Sequence, residues 1–100
     1  MKNLNSSQRS YLKGKAHPLE PIIYIGKNGL SVGTLNAINS ALSKRELIKI
    51  KFQEFKNDKQ ELSTKIADET SSIVVDIIGH TLILFKESLE SEKQKYRLPE

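Results

Sequence analysis

Residues 21–52 contain two short apolar runs separated by an amphipathic helical stretch, and this order constrains the fold more than any other feature of the chain. Residues 21–25 form a continuous, largely β-branched apolar run, which predicts a strand buried on both faces of a sheet. Residues 31–44 place their apolar side chains on one stripe behind Ser31, a suitable helix cap. Residues 46–52 alternate between apolar side chains and lysine. Two strands joined by a helix are expected to be parallel, with a right-handed crossover.

The remaining pattern adds two helices and a hairpin. A first helix is expected over residues 6–16, and it must end before Pro18. A third helix is expected from residue 58 to about residue 71. Apolar runs at 73–78 and 81–85 flank Gly79-His80, and glycine at the first central position suits a type II′ hairpin turn. The sequence therefore predicts an α/β single compact domain, helix-strand-helix-strand-helix-strand-strand, with a four-stranded mixed sheet.

Two helix starts carry recognisable capping signals. Ser6 and Ser7, followed by Gln8, predict a serine cap for the first helix. Asp58, with Glu61 three residues later, predicts a capping box for the third helix. The segment 87–100 is highly charged and has few apolar residues, so we expect it to be a tail that is partly ordered at best, following a domain over residues 1–86.

Composition excludes several classes of function. The chain has 100 residues, the size of one domain, and it contains no cysteine and only two histidines. Disulfides and thiolate zinc sites are therefore excluded, and we expect no metal and no cofactor. The apolar runs are far shorter than the roughly 20 residues needed to span a bilayer, and the first ten residues are polar. We expect a cytoplasmic protein without a membrane or small-molecule partner, and a monomer.

The basic residues are concentrated in the first half of the chain. Residues 1–51 contain nine lysines and arginines against two acids, a net +7, whereas residues 52–100 contain seven against ten, a net −3. This asymmetry favours a basic surface that faces a polyanion, provided that the fold keeps the basic residues on one side. Solvated lysines without a partner are the alternative.

The segment Gly26-Lys27-Asn28-Gly29 joins the predicted first strand to the second helix. Its glycines permit positive φ and let the backbone approach a ligand, and Asn28 tolerates left-handed geometry. The unpaired amides and positive dipole end of the following helix favour a phosphate, and Lys27 adds a charge. KH domains hold a nucleotide backbone with a similar GxxG loop. A tight strand-to-helix turn without a ligand is the alternative, and neither a P-loop nor a dinucleotide-binding spacing is present.

Other basic residues can extend such a site. Arg9 and Lys13 are four residues apart and share a helix face, with Lys15 nearby. Lys49 and Lys51 share a strand face, although lysines also protect edge strands from aggregation.

No residue pattern supports catalysis. His17 precedes Pro18 and is expected to be a connector residue, and His80 is expected to be an exposed turn residue. Asp68 and Glu69 are adjacent on a helix and therefore splayed, which is poor geometry for a shared proton. We expect a protein that is not an enzyme.

Four blocks of sequence together resemble a known family. They are Leu12-Lys13-Gly14-Lys15-Ala16-His17-Pro18-Leu19-Glu20-Pro21, Ile25-Gly26-Lys27-Asn28-Gly29-Leu30-Ser31, Glu46-Leu47-Ile48-Lys49-Ile50-Lys51 and Ile78-Gly79-His80-Thr81-Leu82-Ile83-Leu84-Phe85-Lys86. The blocks look like the YhbY family, the bacterial stand-alone form of the CRM (chloroplast RNA splicing and ribosome maturation) domain, over roughly residues 5–86. The last block ends Phe85-Lys86 where the family commonly has Tyr-Arg.

The resemblance implies a fold similar to the C-terminal domain of translation initiation factor three. It also implies RNA binding through the GxxG loop and association with rRNA of precursor large ribosomal subunits. The predicted RNA contacts are Gly26, Lys27, Asn28, Gly29, Ser31, Arg9, Lys13, Lys15, Lys49, Lys51 and Lys86. The alternative is a protein-interaction module that docks on ribosomal proteins without contacting RNA. Binding to duplex DNA is not favoured, because no recognition helix rich in Arg, Asn and Gln is present.

Overall fold

The helices and strands occur in the order that the apolar pattern predicts. The computed structural model describes residues 3–100, so Lys2, one of the basic residues counted above, lies outside the described part. The helices are α1 (Ser6–Ala16), α2 (Val32–Arg45) and α3 (Lys59–Thr70), and the strands are β1 (Ile23–Ile25), β2 (Leu47–Phe52), β3 (Ile73–Ile78) and β4 (Thr81–Phe85), with short 3-10 turns at Lys56–Asp58 and Ser91–Lys93. Within residues 3–100, no helix is long and apolar enough to cross a membrane.

The strands form one mixed sheet in the order β1-β2-β4-β3. β1 is parallel to β2, with Ile23 opposite Ile50, and β4 is antiparallel to both β2 and β3. This arrangement confirms the predicted α/β domain with a four-stranded mixed sheet. The parallel pairing of the two strands joined by α2 is confirmed as well.

The alternation of side chains along β2 divides the core into two clusters, one on each face of the sheet. Ile48, Ile50 and Phe52 join the first cluster, which α2 and α3 cover. Leu47 points the other way and joins the second cluster, where α1 supplies Leu12 and Ala16 and the sheet supplies Val75, Ile83 and Phe85. Each fully buried aliphatic side chain contributes about 1.5–3 kcal/mol. Both faces of the sheet therefore stabilise the fold.

The prediction that the first strand is buried on both faces is wrong. β1 is the edge strand of the sheet, and only Ile25 is fully buried. Tyr24 is 49% exposed and Ile22 is 39% exposed. The reason is the limited reach of α1, which covers the Leu47 end of that sheet face and leaves the end near Tyr24 open to solvent.

The helix caps differ in part from the expected ones. Ser31 caps α2 as predicted, because its hydroxyl accepts a hydrogen bond from the Thr34 amide at 3.1 Å. The cap of α1 is Asn5 rather than a serine, and it forms a reciprocal capping box with Gln8. Asp58 makes no side-chain cap hydrogen bond. The 3-10 turn that runs directly into α3 places Asp58 at φ −103° and ψ 8°, outside the extended geometry that a capping side chain needs.

The hairpin between β3 and β4 has the predicted two-residue turn. Gly79 has φ +60°, while His80 is not among the described residues with positive φ. Positive φ at the first central position alone is the property of a type II′ turn. The carbonyl of His80 accepts a hydrogen bond from the Phe52 amide at 2.8 Å, which ties the hairpin to the end of β2.

Glu46 connects the C-terminal segment to the centre of the fold. Its side chain is almost fully buried and accepts hydrogen bonds from the backbone amides of Ser88 (2.5 Å) and Lys95 (2.6 Å). Further along the segment, Tyr96 and Leu98 pack against the second cluster, where the Tyr96 ring meets Phe85 edge-on at a centroid distance of 6.3 Å. The C-terminal segment thus covers part of the sheet face that α1 leaves open.

We expect Glu46→Ala to destabilise the protein by about 3–6 kcal/mol, because each hydrogen bond to a charged acceptor contributes roughly 1.5–3 kcal/mol and two amides lose their partner. Urea unfolding followed by circular dichroism measures the change. Glu90→Ala is the matched control, because the contact of the Glu90 side chain is an exposed ion pair with Lys93 and its backbone hydrogen bonds remain in alanine; its effect should stay within about 0.5 kcal/mol. Equal stability of the two variants would show that Glu46 does not hold the C-terminal segment.

Candidate nucleic-acid interface

Residues Gly26 to Gly29 form a hydrogen-bonded turn directly after β1. The Gly29 amide donates to the Gly26 carbonyl at 3.0 Å, and Gly29 has φ +61°, the left-handed region that favours glycine. Lys27 and Asn28 occupy the two central positions and are exposed. A Cβ added at Gly26 would meet no atom within 4 Å beyond its chain neighbours, so this side of Gly26 is open. The backbone of the turn is therefore accessible to a ligand.

The turn leads into the start of α2. Leu35 bonds back to the Ser31 carbonyl, and the Ser31 hydroxyl bonds the Thr34 amide and lies 2.9 Å from Thr34 Oγ1. The cap leaves the amides of Val32 and Gly33 without an intrahelical acceptor, as in the first turn of any α-helix. Both residues are exposed. The helix start can therefore accept an anion, although the Ser31 hydroxyl already serves as the cap.

A second segment lies beside the turn. The amides of Gln53 and Glu54 both donate to the Ile25 carbonyl at 3.0 Å, which fixes the segment after β2 against the residue that precedes Gly26. The next residue, Phe55, packs against Gly29: a Cβ at Gly29 would lie 3.4 Å from Phe55 Cε2. The turn and the segment thus form adjacent parts of one surface.

Two further lysines, both from the half of the chain with net negative charge, lie at this end of the sheet. Lys59 Nζ donates to the Gly79 carbonyl and lies 3.2 Å from His80 Nδ1. Partial desolvation of the ring, together with the positive charges of Lys59, Lys56 and Lys51, lowers the pKa of His80. Lys51, Lys56 and Lys59 are thus the charged neighbours of the His80 ring. Lys56 and Lys59 were not predicted from the sequence as part of the site. They come to this end of the sheet through the hydrogen bond that joins Phe52 to the hairpin.

The two lysines of β2 have different environments. Lys51 is exposed and lies between Tyr24 and Thr81 in neighbouring strands, at the same end of the sheet as the turn. Lys49 is half-buried, and its ammonium group donates to the carbonyls of His17 (3.3 Å) and Leu19 (3.1 Å). Lys49 therefore fixes the connector between α1 and β1.

The predicted basic residues of α1 face β3 or their own helix. The Arg9 guanidinium donates to the carbonyls of Val74 and Val75 at the bulge in β3. Lys13 forms an ion pair with Asp76 at 3.0 Å. The ammonium group of Lys15 lies 5.6 Å from the centre of the Tyr11 ring, a cation–π distance. Arg9 and Lys13 thus have partners within the protein.

Lys86 lies at the opposite end of the sheet from the turn. It follows Phe85, which pairs with Leu47 at the start of β2, and its ammonium group donates to the Thr70 carbonyl at 3.0 Å. Lys51 comes four residues after Leu47 in β2, which corresponds to about 13 Å along the strand. Of the predicted contacts, the structure brings together Gly26, Lys27, Asn28, Gly29, Ser31 and Lys51, and it does not bring Arg9, Lys13, Lys15, Lys49 and Lys86 to the turn.

Metal chemistry has no candidate residues here. Over the part of the chain that the structure describes, no three His, Asp or Glu side chains come together as metal ligands. What this end of the molecule offers is backbone amides and lysines, which suit an anionic ligand.

The fold and this basic end define a small α/β domain with an exposed glycine turn at the carboxyl end of its parallel strand pair. The family model that matches the chain is the CRS1 / YhbY (CRM) domain, over residues 4–86. The chain therefore belongs to the CRS1/YhbY (CRM) domain family, which confirms the predicted resemblance.

Individual relatives agree with this assignment. An "RNA-binding protein" of Haemophilus influenzae is 40% identical over 100 residues, covering 99% of this chain and 98% of the relative. "Probable RNA-binding protein YqeI" of Bacillus subtilis is 36% identical over 91 residues, covering 90% and 95%. The solution structure of a hypothetical protein from Staphylococcus aureus superimposes with a TM-score of 0.81 at 35% identity, covering 96% of this chain and 99% of that protein.

The Lys13–Asp76 pair predicts a pH dependence of stability. Burial raises the pKa of Asp76, but hydrogen bonds from Lys13 and the Ile77 amide, with the charges of Lys13 and Arg9, outweigh it and lower the pKa overall. A lowered folded-state pKa stabilises the protein above the unfolded-state pKa of about 3.9, and this contribution is lost as the pH falls through the folded-state value. We expect Asp76→Asn to be less stable than wild type at pH 7, and the difference to shrink below about pH 4.

Urea unfolding at several pH values measures this difference. In a Lys13→Met background, the effect of Asp76→Asn should become smaller at pH 7, because the main partner is already absent. A stability difference that stays constant from neutral to acid pH would contradict the role given to the pair.

We expect His80 to report on anion binding at this end of the sheet. A phosphate chain that neutralises Lys51, Lys56 and Lys59 removes part of the cause of the lowered pKa, so we expect the pKa of His80 to rise when an oligoribonucleotide binds. Binding should then strengthen as the pH falls through the range in which His80 titrates. Proton NMR of the imidazole follows the titration, and Lys59→Gln should raise the pKa in the free protein. If saturating oligonucleotide leaves the pKa unchanged, the ligand binds elsewhere.

Proposed function

We propose that this protein binds RNA, that the Gly26–Gly29 turn and the start of α2 hold the sugar-phosphate backbone, and that Lys27 and Lys51 supply charge. The observation that carries the proposal is the exposed turn, in which Gly29 has φ +61° and a Cβ added at Gly26 would meet no atom within 4 Å beyond its chain neighbours. The names of the Haemophilus and Bacillus relatives support RNA as the ligand. Backbone contacts fix position rather than sequence, so specificity comes from RNA shape or from bases splayed near the turn.

The RNA is proposed to be rRNA in precursor large ribosomal subunits, with the protein assisting ribosome assembly in the cytoplasm. Support for this finer proposal comes from membership in the CRS1/YhbY family and from the YhbY resemblance. The protein acts by binding, as a monomer, and not as an enzyme. Sedimentation of cell extracts tests the partner, since the protein should migrate with precursor large subunits and be released by ribonuclease. Association that survives RNA digestion would favour docking on ribosomal proteins instead.

Charge reversal at Lys27 tests the turn. We expect Lys27→Glu to weaken binding of a single-stranded oligoribonucleotide and to reduce the slope of log affinity against log salt by about 0.7 for the one phosphate contact that is lost. Fluorescence anisotropy at two or more salt concentrations measures both quantities. Gly26→Asp should act in the same direction without disturbing the fold, because a Cβ at Gly26 meets no atom.

The matched control is Lys44→Glu, which makes the same change of charge on the same helix-turn unit. Lys44 lies in the last turn of α2, twelve residues after Val32, which is about 18 Å along the helix axis. Lys44→Glu should weaken RNA binding much less than Lys27→Glu does. Equal losses in the two variants would show that net charge, and not the turn, determines affinity.

A further inference from the structure

An exposed aromatic ring lies beside the glycine turn. Phe55 is 42% exposed and has φ 57° and ψ 34°, the left-handed region that bulky residues rarely adopt. The core gains little from this ring, because Phe55 belongs to neither buried cluster. A disfavoured backbone conformation that presents an apolar ring to solvent points to a role outside folding.

The backbone that carries the ring is held by hydrogen bonds on both sides of Phe55. Before it, the Gln53 and Glu54 amides hold the segment to the Ile25 carbonyl at 3.0 Å, and after it, the Asp58 amide donates to the Phe55 carbonyl at 3.0 Å. One edge of the ring rests on Gly29, since a Cβ there would lie 3.4 Å from Phe55 Cε2. The ring is thus held next to the turn that receives the phosphate.

The surroundings of the ring suit one kind of ligand. Lys27 lies in the turn on one side, Lys56 follows Phe55 directly, and Lys51 and Lys59 lie close enough to His80 to lower its pKa. A purely anionic ligand would use the lysines and leave the ring in water. A nucleotide uses both, because its phosphate is anionic and its base has a flat π-face that stacks on aromatic side chains.

We propose that Phe55 is the stacking platform for one base of a single-stranded RNA whose phosphate is held by the Gly26–Gly29 turn. This proposal rests on the proposed function and adds a base contact to it. Because every base has a π-face, the contact favours unpaired over paired RNA without selecting a sequence. The competing explanation is that the ring only supports Gly29.

Two ligands and one reporter variant separate these explanations. The ligands are a short oligo(U) and a ribose-phosphate chain of the same length that carries no bases. We expect wild type to bind oligo(U) about tenfold more tightly, the size of one base-stacking contact. The protein contains no tryptophan, so Phe55→Trp introduces a single tryptophan, which can be excited at wavelengths that the three tyrosines do not absorb. Oligo(U) should quench its fluorescence, and the abasic chain should not.

Phe55→Leu separates stacking from support, since leucine keeps an apolar side chain against Gly29 but has no π-face. We expect it to lose about tenfold in affinity for oligo(U) and to bind the abasic chain like wild type. The matched control is Tyr24→Leu, because Tyr24 is an aromatic residue of similar exposure, 49%, on the open sheet face. The Tyr24→Leu variant should still bind oligo(U) more tightly than the abasic chain.

The outcomes are distinct for the two proposals. Equal binding of both ligands by wild type, an equal loss for both ligands in Phe55→Leu, or loss of the preference in Tyr24→Leu but not in Phe55→Leu would each overturn stacking on Phe55. In all three cases Lys27→Glu can still weaken both ligands, which preserves the proposed function. If neither ligand binds in a Lys27-dependent way, both proposals fail. Should Phe55→Leu not fold, quenching of the Phe55→Trp fluorophore decides alone.

Discussion

The candidate interface depends on the carbonyl group of Ile25. The side chain of this residue is fully buried in the first cluster, so its backbone is fixed by the core. Its carbonyl accepts the amides of both Gln53 and Glu54, and Gly26 follows it directly. A single rigid residue thus sets the position of the glycine turn and of the segment that carries Phe55. A ligand that contacts both meets a preformed surface, and preorganisation reduces the free-energy cost of binding.

The sheet topology explains why functional groups gather at this end. β1 and β2 are parallel and adjacent, so their carboxyl ends lie together, and the hairpin between β3 and β4 comes to the same edge because β4 is antiparallel to β2. Ligands of open α/β sheets bind outside the carboxyl ends of parallel strands for the same geometric reason. At the opposite end, Glu46 and the C-terminal segment close the structure. One end of the sheet therefore carries the candidate interface, and the other holds the C-terminal segment.

Elements defined by local periodicity could be predicted from the sequence, and contacts between distant residues could not. The three helices, the parallel strand pair, the cap at Ser31 and the hairpin turn at Gly79 follow from spacing within a few residues. The burial of β1 was predicted wrongly, because an apolar run does not reveal whether a strand lies at an edge.

The site could be predicted only in part, because it too combines residues that are adjacent in sequence with residues that only the fold brings together. The turn and its neighbours are contiguous in sequence, so a motif could find them. Lys56 and Lys59 lie in a half of the chain with net negative charge, and only the fold brings them to the basic end. The partners of Arg9 and Lys49 are backbone carbonyls, which leave no signal in the pattern of side chains. A positive φ can be predicted where the sequence has a glycine or an asparagine, and Phe55 gives no such signal.

The position of α1 has a consequence for how the chain folds during synthesis. Leu12 and Ala16 belong to a cluster whose other buried members are Leu47, Val75, Ile83 and Phe85, so the first helix packs almost entirely on strands that are made later. An isolated helix of 11 residues is marginal in water. On the ribosome, α1 must therefore wait for most of its partners until β3 and β4 have emerged, because before then only Leu47 of β2 can cover it. Long-range closure of this kind is a slow step in the folding of small domains.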